Sequence, residues 1–152
     1  MSIRLLLADD HDIIRQSVKS FLSQQPDIAV IAEAKDGTIA VDLAEKLSPD
    51  IVLMDIKMSK MNGIEAARQM IGNNADTKII ILSTHSDKSF VEAAFKAGVL
   101  GYVLKSSIFD DLMPAIRHAM ANDSFQSPKI TDILGKNCMK ELPDEDDSGL
   151  IT

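Results

Sequence analysis

Short apolar runs that end at polar residues recur along this chain, and they constrain its fold more than any other feature. One of them, Ile51–Met54, lies between two acids and is followed directly by Asp55. A short continuous apolar run is typical of a strand buried on both faces, as in a parallel sheet. Four other runs have the same character, at residues 3–8, 28–34, 78–83 and 101–105. The sequence therefore predicts five strands, the third of which ends at Asp55.

Apolar residues at helical spacing fill the segments between these runs. In the first segment, Ile14, Val18, Phe21 and Leu22 share one face of a helix. Asp12 is expected to cap this helix and Pro26 to stop it. Four further stripes predict four more helices, at residues 40–47, 64–71, 91–95 and 112–120. Gly98 is expected to end the fourth helix, and Pro114 is expected near the first turn of the fifth.

The alternation of strands and helices over residues 3–122 predicts right-handed crossovers and a parallel sheet. The predicted fold class is α/β, a doubly wound five-stranded parallel sheet of flavodoxin-like order 2-1-3-4-5 with helices on both faces. Residues 1–122 are expected to form this domain. Residues 123–152 differ in character: Ser127-Pro128 predicts the start of a sixth helix, and the acidic run at residues 143–149 predicts a solvated linker.

Composition argues against several classes of function. The net charge of −7 does not suit a chain that grips a phosphate backbone by itself. Cys138 is the only cysteine, so no intrachain disulfide can form, which fits a reducing compartment. No apolar stretch is long enough for a membrane span or a signal-peptide core. We therefore expect a cytoplasmic protein that does not engage a membrane.

Five polar residues follow or end the predicted strands on one rim of the sheet. Asp9 and Asp10 follow the first strand, Asp55 ends the third, Ser83 the fourth and Lys105 the fifth. Strands one and three are neighbours in the predicted order, so three carboxylates would repel one another there. A hard divalent cation such as Mg2+ would relieve that repulsion. With Asp55 as nucleophile, and with Ser83 and Lys105 able to hold phosphoryl oxygens, the set favours phosphoryl transfer.

Taken singly, each of these residues has a plainer explanation. Asp is a common loop residue, Ser83 could simply be a polar strand end, and Lys105 could be a solvated charge. It is the arrival of five suitable residues at the correct strand ends that favours a site. The three histidines, His11, His85 and His118, are too scattered along the sequence for a metal cluster, and we expect loop or surface roles for them.

Together these residues resemble the receiver domain of two-component response regulators, and the resemblance covers roughly residues 3–122. The segments that most resemble the NarL/FixJ (LuxR-type) subfamily are Leu7–His11, Met58–Gly63 and Gly101–Lys105. The resemblance implies that Asp55 accepts a phosphoryl group from a sensor histidine kinase or a phosphotransfer protein. It further implies that Mg2+ is bound by Asp10, Asp55 and the backbone carbonyl of Lys57, with Asp9 acting through water.

The same resemblance implies roles for the remaining residues. Ser83 and Lys105 would bind phosphoryl oxygens, and Tyr102 would turn inward as Ser83 moves toward the phosphoryl group. Three residues occupy positions at which the family tunes the lifetime of the acyl phosphate: Lys57, Thr84 and His85. The output surface would be the fourth helix, fifth strand and fifth helix, or the first and fifth helices in a phosphorylation-dependent homodimer.

The chain departs from the family pattern at two positions. Ser59 stands where the family usually has proline, which is expected to loosen that loop without touching a ligand. Ser106 stands where a proline often follows the lysine, as in many NarL/FixJ members, and this leaves the isomer of that peptide bond open.

Members of this subfamily usually continue into a helix-turn-helix DNA-binding domain, and Ser148–Thr152 resembles the end of the linker that leads to it. We therefore expect a piece of a transcriptional regulator that reaches DNA only through that domain. A stand-alone receiver, or an unphosphorylated receiver-like interaction module, is the alternative. The favoured hypothesis, a phosphoacceptor receiver, predicts a switch that assists its own phosphorylation and dephosphorylation and not an enzyme.

Two other classes of function fit the sequence less well. A phosphatase of the haloacid-dehalogenase type would need a second Asp two residues after the nucleophile, where this chain has Lys57. A nucleotide-binding module would need a glycine-rich phosphate loop, and neither G-x-G-x-x-G nor G-x-x-x-x-G-K-[ST] occurs in the sequence.

Overall fold

The structure is a computed structural model that describes residues 2–132 of the chain. Its strands are β1 (Ile3–Ala8), β2 (Ile28–Ala34), β3 (Ile51–Asp55), β4 (Lys78–Ser83), β5 (Gly101–Leu104) and β6 (Phe125–Gln126). Its helices are α1 (Asp12–Ser23), α2 (Gly37–Leu47), α3 (Gly63–Asn73), α4 (Lys88–Ala97) and α5 (Ile108–Met120), with a 3-10 turn at Lys105–Ser107. Residues 128–132 are also helical.

All strand pairs of the sheet are parallel, and the order is β2-β1-β3-β4-β5-β6. The predicted α/β class and the order of the first five strands are confirmed. Strands β1 and β3 are neighbours, with Ala8 opposite Met54. Their carboxyl ends therefore meet at one rim, as the site prediction requires.

The two faces of the sheet have separate cores, because side chains alternate between the faces along each strand. Leu6, Val52 and Ile81 pack on the face covered by α2, α3 and α4. Leu53 and Ile80 pack on the opposite face with residues of α1 and α5. Burial on both faces explains why the strands appear in the sequence as continuous apolar runs.

The sheet has one strand more than the sequence predicts. Strand β6 extends the sheet beyond β5, with Gly101 opposite Phe125 and Tyr102 opposite Gln126. Two residues are too few to show a strand pattern, so only the tertiary structure reveals this strand. The helix predicted to start at Pro128 does begin there. Its predicted continuation through Ile133, Leu134 and Cys138, and the acidic linker, lie outside the described residues, and the domain boundary at residue 122 stays a prediction.

Two helix starts differ from prediction. His11, not Asp12, occupies the N-cap of α1; Asp12 is the first helical residue, and its Oδ1 accepts a hydrogen bond from Arg15 at 2.6 Å. Helix α5 begins at Ile108, directly after the 3-10 turn, so Pro114 lies at its seventh position rather than near its first turn. An apolar stripe marks the packed face of a helix and not its first residue, which explains both differences.

Several helix ends are as predicted. Helix α1 ends at Ser23, before Pro26, and Gly98 ends α4 with a φ of 107°. That left-handed conformation suits glycine, which has no Cβ. The described residues contain no cis peptide bond, so the bond before Ser106 is trans. Among residues 2–132, no helix is long and apolar enough to cross a membrane.

Candidate functional site

The carboxyl ends of β1, β3 and β5 bring two carboxylates and one ammonium group into contact. Lys105 lies immediately after β5, and its Nζ donates a hydrogen bond to Oδ2 of Asp9 at 2.8 Å and to Oδ2 of Asp55 at 3.0 Å. All three side chains are buried or nearly so. Lys105 is separated from Asp9 by 96 positions in the sequence, so the fold itself assembles this contact.

His11 completes the cluster from the β1–α1 connection. Its Nδ1 lies 2.9 Å from Oδ1 of Asp9, 3.2 Å from Oδ1 of Asp10 and 3.6 Å from Oδ2 of Asp55. The imidazole is in a loop and its side chain is 62% exposed, as expected of a loop histidine. The sequence did not predict, however, that His11 joins the acidic residues in one group of potential metal ligands. The β1–α1 turn folds its side chain back over the carboxylates, and the backbone N–H of His11 also donates to Asp9.

The acidic cluster has the donor set of a hard cation site. One potential ligand atom from each of Asp9, Asp10, His11 and Asp55 lies within 4.8 Å of the others. Three of these donors are carboxylates, and oxygen ligands suit Mg2+. Asp10 is the most accessible of the three acids, with a side chain that is 30% exposed. These residues therefore fit the divalent cation that the sequence predicts.

Burial and the contacts among Asp9, Asp55 and Lys105 shift the pKa values of Asp55 and Lys105. Burial raises the pKa of Asp55, the nearby charge of Asp9 adds to that rise, and Lys105 only partly opposes it. Burial would by itself lower the pKa of Lys105, but its hydrogen bonds and its attraction to Asp9 and Asp55 outweigh that effect, so its pKa is raised. Lys105 is thus held as a cation beside the carboxyl groups of Asp9 and Asp55. The raised pKa of Asp55 means that its ionised form is unfavourable in this environment.

Ser83 and Tyr102 are linked through the backbone of His85. The buried Oγ of Ser83 accepts a hydrogen bond from the N–H of His85 at 2.9 Å. The hydroxyl of Tyr102 donates to the carbonyl of His85 at 2.7 Å. The ring of Tyr102 is fully buried, and burial raises the pKa of its phenol. The structure therefore has Tyr102 in an inward orientation, tied to the same loop as Ser83.

The three residues predicted to tune the lifetime of an acyl phosphate lie on the two loops that follow β3 and β4. Thr84 is exposed. Lys57 places its Nζ 5.8 Å from the centre of the Phe90 ring, and that ring lies 5.2 Å from the imidazole of His85. Lys57 and His85 therefore contact the same aromatic ring from different loops, an arrangement that the sequence did not predict.

Two glycines hold the loop that follows Asp55. A Cβ on Gly63 would lie 2.1 Å from the carbonyl oxygen of Asp55, and the N–H of Gly63 donates to Ile56 at 2.6 Å. A Cβ on Gly37 would lie 2.1 Å from the carbonyl oxygen of Met61. Ser59, which stands where receiver domains usually have proline, pairs with Asp36 in a parallel bridge. The need for these glycines arises from contacts across the fold, which no local pattern signals.

The comparisons with known proteins agree with this geometry. Residues 5–117 match the family described as the response regulator receiver domain. The transcriptional regulatory protein DegU of Brevibacillus brevis is 39% identical over 95% of this chain and 61% of its own length. LiaR of Bacillus subtilis is 44% identical over 84% of this chain and 61% of its own length. NarL of Escherichia coli K12 is 36% identical over 86% of this chain and 60% of its own length. The chain therefore spans about three fifths of the length of these relatives.

Solved structures give the same result. A two-component response regulator of the LuxR family from Aurantimonas sp. SI85-9A1 superposes with a TM-score of 0.86 at 35% identity, covering 90% of this chain and 97% of the other. The response regulator domain of Thermotoga maritima CheB superposes with a TM-score of 0.75 at 32% identity, covering 80% of this chain and 98% of the other.

Proposed function

The chain belongs to the family of response regulator receiver domains, and from that premise we propose that it accepts a phosphoryl group on Asp55 from a sensor histidine kinase or a phosphotransfer protein. One observation carries the proposal: the buried carboxylate of Asp55 lies 3.0 Å from the Nζ of Lys105, on the rim that also holds Asp9 and Asp10. A nucleophile, a fixed cation and an acidic cluster at one strand end are the parts that phosphoryl transfer needs.

In the proposed reaction, a carboxylate oxygen of Asp55 attacks the phosphorus atom of a phosphohistidine. The new O–P bond forms as the P–N bond breaks, and the donor imidazole leaves with that electron pair and takes a proton from solvent. Lys105 binds a phosphoryl oxygen and offsets its charge. The chain assists its own phosphorylation and dephosphorylation in this way, and it has no separate substrate to convert.

Asp10, Asp55 and the backbone carbonyl of Lys57 would hold Mg2+, with Asp9 contributing through water. The cation would supply positive charge among carboxylates that otherwise repel one another and the phosphoryl group. In the structure, Lys105 and His11 already place nitrogen atoms against the same carboxylates. Binding of the cation and the positions of these two side chains are therefore expected to be coupled.

The phosphoryl group would act as a switch through Ser83 and Tyr102, since both are tied to the loop after β4. Lys57, Thr84 and His85 would set how long the acyl phosphate survives. The output would be transcriptional, by a phosphorylation-dependent homodimer and through a DNA-binding domain like those of longer regulators. The names of DegU and NarL describe transcriptional or response regulators, which supports this part of the proposal.

Intact-mass spectrometry after incubation with Mg2+ and acetyl phosphate tests the proposal. We expect one added phosphoryl group on the wild-type chain, none on Asp55→Asn, and none when EDTA is present. The same measurement with a purified histidine kinase and ATP tests the natural type of donor. A folded wild-type chain that gains no mass from several donors and does not bind beryllofluoride would favour the alternative, an unphosphorylated interaction module.

Thermal or urea unfolding with and without Mg2+ tests the metal site. Mg2+ at ten to a hundred times its Kd should stabilise the wild-type chain by about 1–3 kcal/mol, because only the folded state assembles the carboxylates. Asp10→Asn should lose most of that gain. Asp76→Asn, which changes an exposed acid outside the cluster, is the matched control and should keep it. An unchanged gain in Asp10→Asn would remove Asp10 from the ligand set.

A further inference from the structure

The residues that follow α5 hold the outer edge of β5. The backbone N–H of Ser127 donates to the carbonyl of Tyr102 at 3.0 Å, which continues the pairing of β6 by one residue. The hydroxyl of Ser127 then accepts a hydrogen bond from the backbone N–H of Leu104 at 3.0 Å. Ser127 is only 1% exposed. One buried serine therefore binds two backbone groups of the strand that leads into Lys105.

Ser127 is itself fixed by the helical residues that follow it. Its carbonyl accepts hydrogen bonds from the N–H groups of Ile130 at 2.8 Å and Thr131 at 3.1 Å. The side chain of Ile130 is fully buried in the same core cluster as Tyr102 and Leu104. Moving Ser127 away from β5 would expose Ile130 and break the first helical hydrogen bonds, so the serine is held from both sides.

The hydrogen bond to Leu104 reaches the phosphoryl site directly. Leu104 is buried and is the last residue of β5, and Lys105 follows it. Strand β6 ends at Gln126, so the hydroxyl of Ser127 is the partner that satisfies the N–H of Leu104 where the strand pairing stops. An unpaired N–H at a buried strand end would favour movement of the chain toward water. Such movement would displace the backbone from which Lys105 reaches Asp9 and Asp55.

We propose that Ser127 is a positioning residue for Lys105: its hydroxyl fixes the end of β5 so that the ammonium group meets the phosphoryl oxygens on Asp55. The proposal rests on the proposed function, because Lys105 acts there on a phosphoryl group. A reaction that depends on the precise position of a charged group becomes slower when that group is displaced by about 1 Å. Ser127 positions Lys105 through the backbone of β5 and does not itself contact a reacting atom.

The first test compares phosphorylation rates with acetyl phosphate and saturating Mg2+. Ser127→Ala should slow modification of Asp55 about tenfold, and Ser127→Thr, which keeps the hydroxyl, should return the rate to within about twofold of wild type. Ile28→Val, which removes one buried methylene at the amino end of the sheet, is the control for a modest loss of stability. A rate for Ser127→Ala equal to that of Ile28→Val would overturn the proposal.

The second test asks whether Ser127 acts through Lys105. In a Lys105→Ala background, adding Ser127→Ala should change the remaining rate less than about twofold, because the group being positioned is absent. If the double variant instead lost rate by the product of the two single-variant factors, Ser127 would affect the site without acting through Lys105. That result would overturn the proposal.

A third measurement does not depend on phosphorylation. Trace labelling of amines with acetic anhydride, read by mass spectrometry, reports how firmly Lys105 is held by its carboxylates. Ser127→Ala should raise the labelling of Lys105 several-fold relative to exposed Lys96 in the same sample, and Ser127→Thr should not. If the wild-type chain accepts no phosphoryl group, the proposed function fails, yet this labelling ratio still decides whether Ser127 positions Lys105.

Discussion

At the scale of single residues, the site depends on a carboxylate that the fold makes costly to ionise. Burial and the nearby charge of Asp9 both raise the pKa of Asp55, while Lys105 recovers part of the cost. The side chain of Asp55 is buried away from bulk water, with the ammonium group of Lys105 beside it. The cost appears as a loss of stability for the unphosphorylated chain at neutral pH.

This electrostatic cost predicts that Asp55→Asn is more stable than wild type at pH 7. A carboxyl with a raised folded-state pKa contributes stability that is present below its ordinary pKa and is lost as the pH rises through the raised value. Asn cannot ionise, and Lys105 keeps Asp9 as a partner. We expect Tm to rise by a few degrees at pH 7, with the difference shrinking as the pH falls through the raised pKa of Asp55.

Calorimetry of both chains from pH 4 to pH 7.5 measures that difference. Asp76→Asn, at an exposed position, serves as the control for loss of one negative charge. A constant difference between Asp55→Asn and wild type across the whole range would contradict the prediction, because only a titrating buried group makes the difference depend on pH.

At the scale of elements, the connection between β3 and α3 is the most constrained segment near the site. The start of α3 packs so closely on the end of β3 that a Cβ on Gly63 would lie 2.1 Å from the carbonyl oxygen of Asp55. The obstacle is backbone, which cannot rotate away as a side chain can. The start of α3 and the carboxyl end of β3 at Asp55 are therefore positioned together.

Gly63→Ala should lower the free energy of unfolding by about 2–4 kcal/mol, because either α3 or the end of β3 must shift. Gly72→Ala is a matched control on the same helix, since nothing lies within 4 Å of its added Cβ. That change should raise stability by about 0.5–1 kcal/mol. Urea denaturation of both variants measures the contrast, and equal effects in the two would show that the close approach at Gly63 is relieved at little cost.

At the scale of the whole molecule, α1 and α5 each carry a large exposed apolar side chain, and the two helices meet through a pair of aromatic rings. Ile13 on α1 is 79% exposed and Phe109 on α5 is 55% exposed. The rings of Phe21 and Phe109 meet edge to face, with centres 5.2 Å apart. Large exposed apolar side chains that neighbour one another favour an interaction surface over isolated exposure. The face formed by α1 and α5 is the dimer face that the family resemblance implies.

We predict that beryllofluoride with Mg2+ shifts the chain toward a dimer and that Phe109→Ser weakens that dimer at least tenfold, since an exposed aromatic anchor commonly contributes more than 1.4 kcal/mol at an interface. Sedimentation velocity measures the shift. Ile39→Ser, a similar change at a half-exposed residue of α2, is the control and should have no effect. A dimer that tolerates Phe109→Ser would point instead to the face of α4, β5 and α5.

The sequence by itself determined the first five strands, their order and the rim that gathers Asp9, Asp55, Ser83 and Lys105. It could do so because strands buried on both faces are continuous apolar runs, and because parallel strands place their carboxyl ends together. Those rules use only the order of residues along the chain.

Only the tertiary structure decided the features that depend on contacts between distant residues. Strand β6, the fold of His11 over the carboxylates and the closeness of Gly63 to Asp55 have no local pattern. The hydroxyl of Ser127 meets the N–H of Leu104 across 23 positions of sequence. The local sequence around a residue indicates its secondary structure and the face of the sheet on which it lies. The hydrogen-bond partner of a buried polar group is fixed only when the whole chain has packed.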